Sequence, residues 1–158
     1  MYRVDIYLES DTWYLGNRKR KSGYYICCAM PGGRDYDDLQ IRSVEGTYNH
    51  CLLIVLNEAL GRMKKPSEIH IHSANTYILD MIKNSLPGWE KNCFRNSRGE
   101  DIKDQAAWMI LSMNIRGHMI VPEYGLHEYS HWMKWMMMRD GNEPVDNIVE
   151  KPEKPHKQ

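Results

Sequence analysis

The sequence has no excess of charge of either sign. Its 158 residues include 21 lysines and arginines against 21 aspartates and glutamates, so the formal net charge at pH 7 is zero. A strongly basic chain would indicate tight, non-specific binding to phosphates. The balanced charge excludes that class of protein, and any affinity for nucleic acid has to come from a local patch of basic residues.

The sequence also lacks paired cysteines and long apolar runs. Its four cysteines form no C-x-x-C pair, and we expect all of them to be reduced thiols in an intracellular protein. The apolar runs are far shorter than the ~20 residues of a membrane-spanning helix. The segment MYRVDIYLES carries charges where a signal peptide is apolar. We therefore expect a cytoplasmic protein with no membrane contact.

What the sequence does contain is a regular succession of strand and helix patterns. Its length fits one domain that can bury its own core. Period-two alternation and helical spacing of apolar residues predict strands at 2–9, 24–30, 38–43, 68–72 and 117–121, the last stopped by Pro122, and helices at 47–60, 75–85, 102–114 and 128–139. This order predicts an α/β fold, with a mixed five-stranded sheet in which three antiparallel strands are followed by parallel additions, flanked by helices.

The composition changes at Asp140. The remaining segment, DGNEPVDNIVEKPEKPHKQ, is polar, contains three prolines and has no apolar periodicity. Segments of this composition bury too little apolar surface to fold. We therefore predict one folded domain at 1–139 and a disordered polar tail at 140–158.

Four segments occur in an order and spacing typical of one family. They are VDIYLES with LGNRKRKSGYYICC, IHIHSANTYILDMI, WEKNCFRNSRGEDIKDQAAWMIL and VPEYGLHEYSHW. Over residues 2–139 these segments resemble type 1 ribonuclease H, specifically its first hairpin, its fourth strand with the following helix, its loop between two tryptophans, and its last strand-to-helix loop. The resemblance implies a ribonuclease-H-like fold.

The resemblance also implies where catalytic residues should lie. The family cuts the RNA strand of an RNA–DNA hybrid with two divalent metals, which four carboxylates hold about 4 Å apart. Those carboxylate positions fall on Glu9, Asn49, Ala74 and Lys134, and the family's mobile histidine falls on Tyr124, with His127 three residues later. Only Glu9 is a carboxylate. The resemblance therefore implies a degenerate member that lacks most catalytic carboxylates, and we expect it to bind no cofactor.

Lys134 is the replacement least favourable to a metal. Two unit charges 4 Å apart interact with roughly 4 kcal/mol at a surface-like dielectric, and a divalent ion would feel about twice that repulsion. One hypothesis is that Lys134 replaces the metal electrostatically and pairs with Glu9. The alternative is a shifted ligand set, in which Glu9 and Asp11, helped by Glu45 or Asp80, hold Mg²⁺ or Mn²⁺.

A basic run, Arg18-Lys19-Arg20-Lys21, lies at the predicted tip of the first hairpin. Such a tip could contact phosphates, because phosphates that are neutralised by a protein release their counterions. It could equally be a solvated turn.

The last predicted helix, 128–139, is apolar on nearly all faces. Its segment HWMKWMMM has Trp or Met at six of eight positions. Core packing explains one face of such a helix. The other faces indicate an adaptable surface that docks a protein partner or a second copy of the chain.

Three functions remain open at this point. We favour a catalytically degenerate, non-enzymatic ribonuclease-H-like module that binds an RNA–DNA hybrid, another nucleic-acid duplex or a protein partner. The second is a divergent metal-dependent ribonuclease H that cuts the RNA strand of hybrids. The third is a purely structural protein-interaction module. Salt-sensitive hybrid binding separates the first from the third, and metal-dependent cleavage separates the second from both.

Overall fold

The computed structural model describes residues 1–30, 32–139 and 150–152, and its central feature is a single five-stranded sheet. The strands are β1 (Tyr2–Ser10), β2 (Arg18–Ala29), β3 (Asp35–Gly46), β4 (Ser67–Ser73) and β5 (Met119–Tyr124). Their order across the sheet is β3-β2-β1-β4-β5. β2 is antiparallel to β1 and β3, whereas β4 runs parallel to both β1 and β5. The predicted mixed sheet, three antiparallel strands followed by parallel additions, is confirmed.

The helices connect and cover these strands. They are α1 (Tyr48–Gly61), α2 (Thr76–Asp80), α3 (Leu86–Lys91), α4 (Gln105–Asn114) and α5 (Ser130–Met138), with a π-helical segment, Met81–Ser85, between α2 and α3. α1 begins after Thr47, whose hydroxyl accepts a hydrogen bond from the backbone N–H of His50 at 3.1 Å, as an N-cap residue does. None of the described helices is both long enough and apolar enough to cross a bilayer.

Each face of the sheet has its own core. Side chains alternate along a strand, so Val4, Ile6 and Leu8 all point into the larger core, which α1 covers. Tyr7 points to the opposite face. There it forms a second cluster with Tyr25, Tyr129 and Met133. β1 therefore lies between two layers of helix.

The second cluster explains much of the apolar character of α5. Met133 and Met137 are buried, and Trp132 packs against the cluster. Met138, at the end of the helix, is 65% exposed. Packing against the sheet thus accounts for one face of α5, and docking of a partner protein or a second copy stays a prediction.

Several predicted boundaries differ from the structure, and two of the differences involve prolines. Pro122 does not stop the last strand but lies within β5, opposite Ile71. β5 is an edge strand, and proline is tolerated there because its missing N–H is not needed by a further strand. The helical region predicted at 75–85 also continues past Pro87, which lies in the first turn of α3, the helix that directly follows the π-helical segment.

Another wrong boundary is the start of β2. The strand begins at Arg18 rather than at Tyr24, and Lys19 pairs with Glu45 of β3. The basic run is therefore part of the sheet, and the hairpin turn is formed by 11–17. The predicted tail, 140–158, lies outside the described residues except for 150–152.

Candidate active site and nucleic-acid interface

The positions carried over from ribonuclease H gather at one edge of the sheet. β1 and β4 are parallel neighbours, and Tyr7 pairs with His72. Glu9 and Ala74 both follow two residues beyond that pair. The carboxyl ends of adjacent parallel strands meet at the same edge, where ligand sites of open α/β sheets lie.

Glu9 is buried, with 3% of its surface exposed. Its Oε1 accepts a hydrogen bond from the backbone N–H of Ser10 at 3.0 Å and from the indole N–H of Trp13 at 2.9 Å. The one carboxylate among the four positions carried over from the family therefore accepts hydrogen bonds from Ser10 and Trp13.

Trp13 connects Glu9 to Lys134. The Lys134 Nζ lies 4.1 Å from the centroid of the Trp13 ring, which is the geometry of a cation–π contact. Within the described residues no ion pair joins Lys134 to Glu9, so the expected direct pairing was wrong. An aromatic ring contacts both residues instead. No pattern in the sequence points to Trp13, because it falls in a loop and its partner is 121 positions away.

Asn49 and Ala74 offer no charge at the same edge. The Asn49 Oδ1 accepts a hydrogen bond from the Asn75 Nδ2 at 2.8 Å. The Asn75 Oδ1 in turn accepts from the backbone N–H of Ile78 at 3.0 Å and so caps α2. Asn49 therefore acts as a support for the start of α2, and Ala74 presents only a methyl group.

His127 is fixed in place by two hydrogen bonds. Its Nε2 lies 2.8 Å from the carbonyl oxygen of Leu8, and its Nδ1 accepts from the backbone N–H of Tyr129 at 3.2 Å. A ring that donates at one nitrogen and accepts at the other is neutral. Burial lowers the pKa of His127 and so favours the same form. Tyr124 is more exposed, and its hydroxyl donates to Asp80 at 3.0 Å.

The basic run divides into exposed and buried members. Arg18 and Lys19 are exposed. Arg20 is 2% exposed, and its guanidinium donates to the carbonyl oxygens of Thr12, Tyr14, Gly16 and Gly46 at 2.6–3.3 Å. The Lys21 Nζ donates to the carbonyl oxygen of Met137 at 3.0 Å. The prediction of four phosphate-contacting charges at a hairpin tip was therefore wrong for the position of the run and for Arg20, which organises the 11–17 loop.

The shifted ligand set is not assembled. Asp11 accepts from the backbone N–H of Lys21 at 3.1 Å, Asp80 accepts from Tyr124, and Glu45 lies in β3 opposite Lys19. Across residues 1–30, 32–139 and 150–152, no three His, Cys, Asp or Glu side chains form a group that could hold a metal ion.

Solved structures with similar folds show which fold this chain has. LC9-RNase H1, described as a type 1 RNase H with the type 2 active-site motif, matches with a TM-score of 0.69 at 17% identity, over 87% of this chain and 71% of that one. A foamy viral protease-reverse transcriptase in complex with an RNA/DNA hybrid matches with a TM-score of 0.56 at 18% identity, over 78% of this chain and 17% of that one. The fold is ribonuclease-H-like, as predicted.

Sequence relatives agree with this assignment. No family model matches the chain. The ribonuclease H of Actinobacillus succinogenes is 32% identical over 106 residues, which cover 65% of this chain and 62% of that protein, just under two thirds. The ribonuclease H of Rhizobium meliloti is 25% identical over 113 residues, or 72% of this chain and 69% of that protein. The chain is a ribonuclease-H-like protein.

Proposed function

We propose that this chain binds an RNA–DNA hybrid or a related duplex without cutting it. The proposal is supported by the relatives, which are named ribonuclease H, and by structural neighbours described in complex with an RNA/DNA hybrid and with double-stranded DNA. The absence of cutting is inferred from the residues at the family's catalytic positions.

The observation that carries the proposal is the contact between Lys134 and Trp13. The resemblance assigns Lys134 to a position where the family has a metal-binding carboxylate, and its ammonium group, 4.1 Å from the ring centroid, would supply a positive charge there. A divalent ion close to it would be repelled by several kcal/mol, roughly 8 kcal/mol at 4 Å and a surface-like dielectric.

The remaining residues do not fit a pair of Mg²⁺ ions. Mg²⁺ requires near-octahedral coordination by oxygen atoms, whereas Ala74 offers none. The Asn49 oxygen already accepts a hydrogen bond from Asn75. Glu9 is the only carboxylate at the four positions, and its Oε1 accepts two hydrogen bonds. No catalytic step through a metal is assigned to this site.

The binding surface that we propose is the 11–17 loop with the start of β2. Trp13, Tyr14 and Leu15 are 42%, 60% and 68% exposed, and Arg18 and Lys19 follow as exposed cations. Basic side chains contact phosphates and position a duplex, while aromatic rings stack on accessible bases. The buried guanidinium of Arg20 donates hydrogen bonds to carbonyl oxygens of this loop and so stabilises the conformation of the loop.

A cleavage assay tests the catalytic half of the proposal. An end-labelled RNA–DNA hybrid is incubated with excess protein in Mg²⁺ and, separately, in Mn²⁺, together with the variant Glu9→Gln and, as a control, Glu100→Gln, which changes an exposed carboxylate of the loop before α4. We expect intact substrate in every sample and binding of the same hybrid by fluorescence anisotropy. Cleavage that is lost in Glu9→Gln and retained in Glu100→Gln would contradict the proposal, as would an absence of binding at low salt.

That contradicting result would support the second candidate, a divergent metal-dependent ribonuclease H. The names of the relatives favour it, and Asp11 is an exposed carboxylate two residues beyond Glu9. In that case the metal ligands, Glu9 and Asp11, have to come together when substrate binds. Asp11→Asn should then abolish cleavage, as Glu9→Gln does.

A further inference from the structure

Two aromatic rings and a carboxylate converge on the second face of the sheet. Tyr25 lies on β2, Asp37 on β3 and Trp132 on α5. The ring centroids of Tyr25 and Trp132 are 5.1 Å apart with the rings inclined at 72°. The hydroxyl of Tyr25 donates to Asp37 Oδ2 at 2.6 Å. We name this group of three residues the lysine box.

Lys151 fills the lysine box. Its Nζ lies 3.1 Å from Asp37 Oδ2, 5.5 Å from the centroid of Tyr25 and 5.8 Å from that of Trp132. Cations within about 6 Å of an aromatic ring centroid are attracted by its negative face. Lysine suits such a group, because its charge is compact and its stem is long and flexible.

The rings of the box are also held by aromatic contacts that do not involve Lys151. Tyr25 is 1% exposed and packs edge-on against Tyr129, with their centroids 4.9 Å apart. Burial and the hydrogen bond to Asp37 raise the pKa of Tyr25 well above its ordinary value, so the hydroxyl keeps its proton and continues to orient the carboxylate. A preorganised site loses little entropy on binding.

We propose that Tyr25, Asp37 and Trp132 form a binding site for a lysine side chain, and that the segment 150–152 uses this site to fasten α5 to the sheet. The three residues belong to three different elements, so the bound ammonium group joins α5 to β2 and β3. α5 also carries Lys134, and the box thereby holds the helix that contributes to the candidate active site. The inference does not depend on nucleic-acid binding.

The test uses the full chain with ¹³C-labelled lysine and follows the ε-methylene signals by NMR. Ring currents of Tyr25 and Trp132 should shift the Lys151 signal upfield, and Lys151→Arg identifies that signal by its loss. Trp132→Leu should return it to the position of an exposed lysine. Trp13→Leu is the matched control, because it should move only the Lys134 signal.

A second variant keeps the test decisive if Trp132→Leu does not fold. Asp37→Asn retains both rings and removes the ion pair, so the upfield shift of Lys151 should shrink and become insensitive to added salt. A Lys151 signal at the exposed-lysine position in the unmodified protein would overturn the proposal. So would an upfield signal that neither Asp37→Asn nor Trp132→Leu changes.

Discussion

At the scale of single residues, Arg18 and Arg20 lie two positions apart in β2 but have opposite surroundings. Arg20 is buried and donates to four backbone carbonyls of the 11–17 loop and of Gly46, whereas Arg18 is exposed. A lysine has one ammonium group and cannot reproduce these contacts. We expect Arg20→Lys to lower the free energy of unfolding by about 2 kcal/mol and Arg18→Lys to change it by less than about 0.5 kcal/mol.

Urea denaturation of the two variants checks this difference. Equal effects would mean that the hydrogen bonds from Arg20 to the carbonyls contribute nothing, and the loop would then need another explanation for its shape. When both variants are folded, Arg18→Lys should weaken hybrid binding more than Arg20→Lys does. Of these two arginines, only the exposed Arg18 can contact a phosphate.

Trp13 makes a second residue-scale prediction. Trp13→Phe keeps an aromatic ring near Lys134 and removes the N–H that donates to buried Glu9. A buried charged acceptor that loses a donor destabilises the fold by about 1–3 kcal/mol, and we expect a loss in this range by urea denaturation. Trp135→Phe is the control, because Trp135 also lies beside a cation, Arg139. A loss as large in the control would show that ring size, not the hydrogen bond, matters.

At the scale of elements, His70 joins β4 to the edge strand β5. Its Nε2 lies 2.8 Å from Glu68 Oε2 and its Nδ1 lies 2.9 Å from Glu123 Oε1. Both nitrogens can donate to carboxylates only when the ring is charged. Burial lowers the pKa of His70, but the hydrogen bonds to Glu68 and Glu123 outweigh it, and the net pKa is raised.

The raised pKa fixes the sign of a pH dependence. The stabilisation by His70 is fully present below the ordinary histidine pKa of about 6.5 and is lost as the pH rises through the higher pKa of the folded state. The unfolding free energy of the unmodified protein should therefore exceed that of His70→Asn most at about pH 5.5, and the difference should shrink by about pH 8.5. His131→Asn, at an exposed position of α5, is the matched control. A difference that grew with pH would contradict the charged ring.

The strands and helices could be predicted from the sequence where their cause is local. The alternation of apolar residues over 2–9 and their helical spacing over 47–60 are such cases, and the structure has a strand and a helix there. The start of β2 was missed because burial of Arg20 depends on carbonyls from the loop before it and from β3. Pro122 was misjudged because only the strand order reveals β5 as an edge. The contacts of Trp13 with Lys134 and of Lys151 with Trp132 join distant segments, which no local pattern encodes.

At the scale of the whole molecule, the zero net charge makes the proposed interface a local one. Removing one cation that neutralises a phosphate should reduce the slope of log affinity against log salt by about 0.9. We expect Arg18→Gln/Lys19→Gln to weaken hybrid binding and to reduce that slope by about 1.8. The matched control, Lys64→Gln/Lys65→Gln, removes two exposed cations just before β4, at the opposite edge of the sheet from Glu9.

Fluorescence anisotropy of a labelled hybrid over a range of salt concentrations measures both slopes. Because the two double variants have the same net charge, a general electrostatic attraction would change their slopes equally. If Arg18 and Lys19 contact phosphates at the start of β2, only the slope of Arg18→Gln/Lys19→Gln should change. Equal slopes would therefore show that Arg18 and Lys19 do not contact phosphates. Unchanged affinity in both variants would show that the hybrid binds elsewhere than at the 11–17 loop.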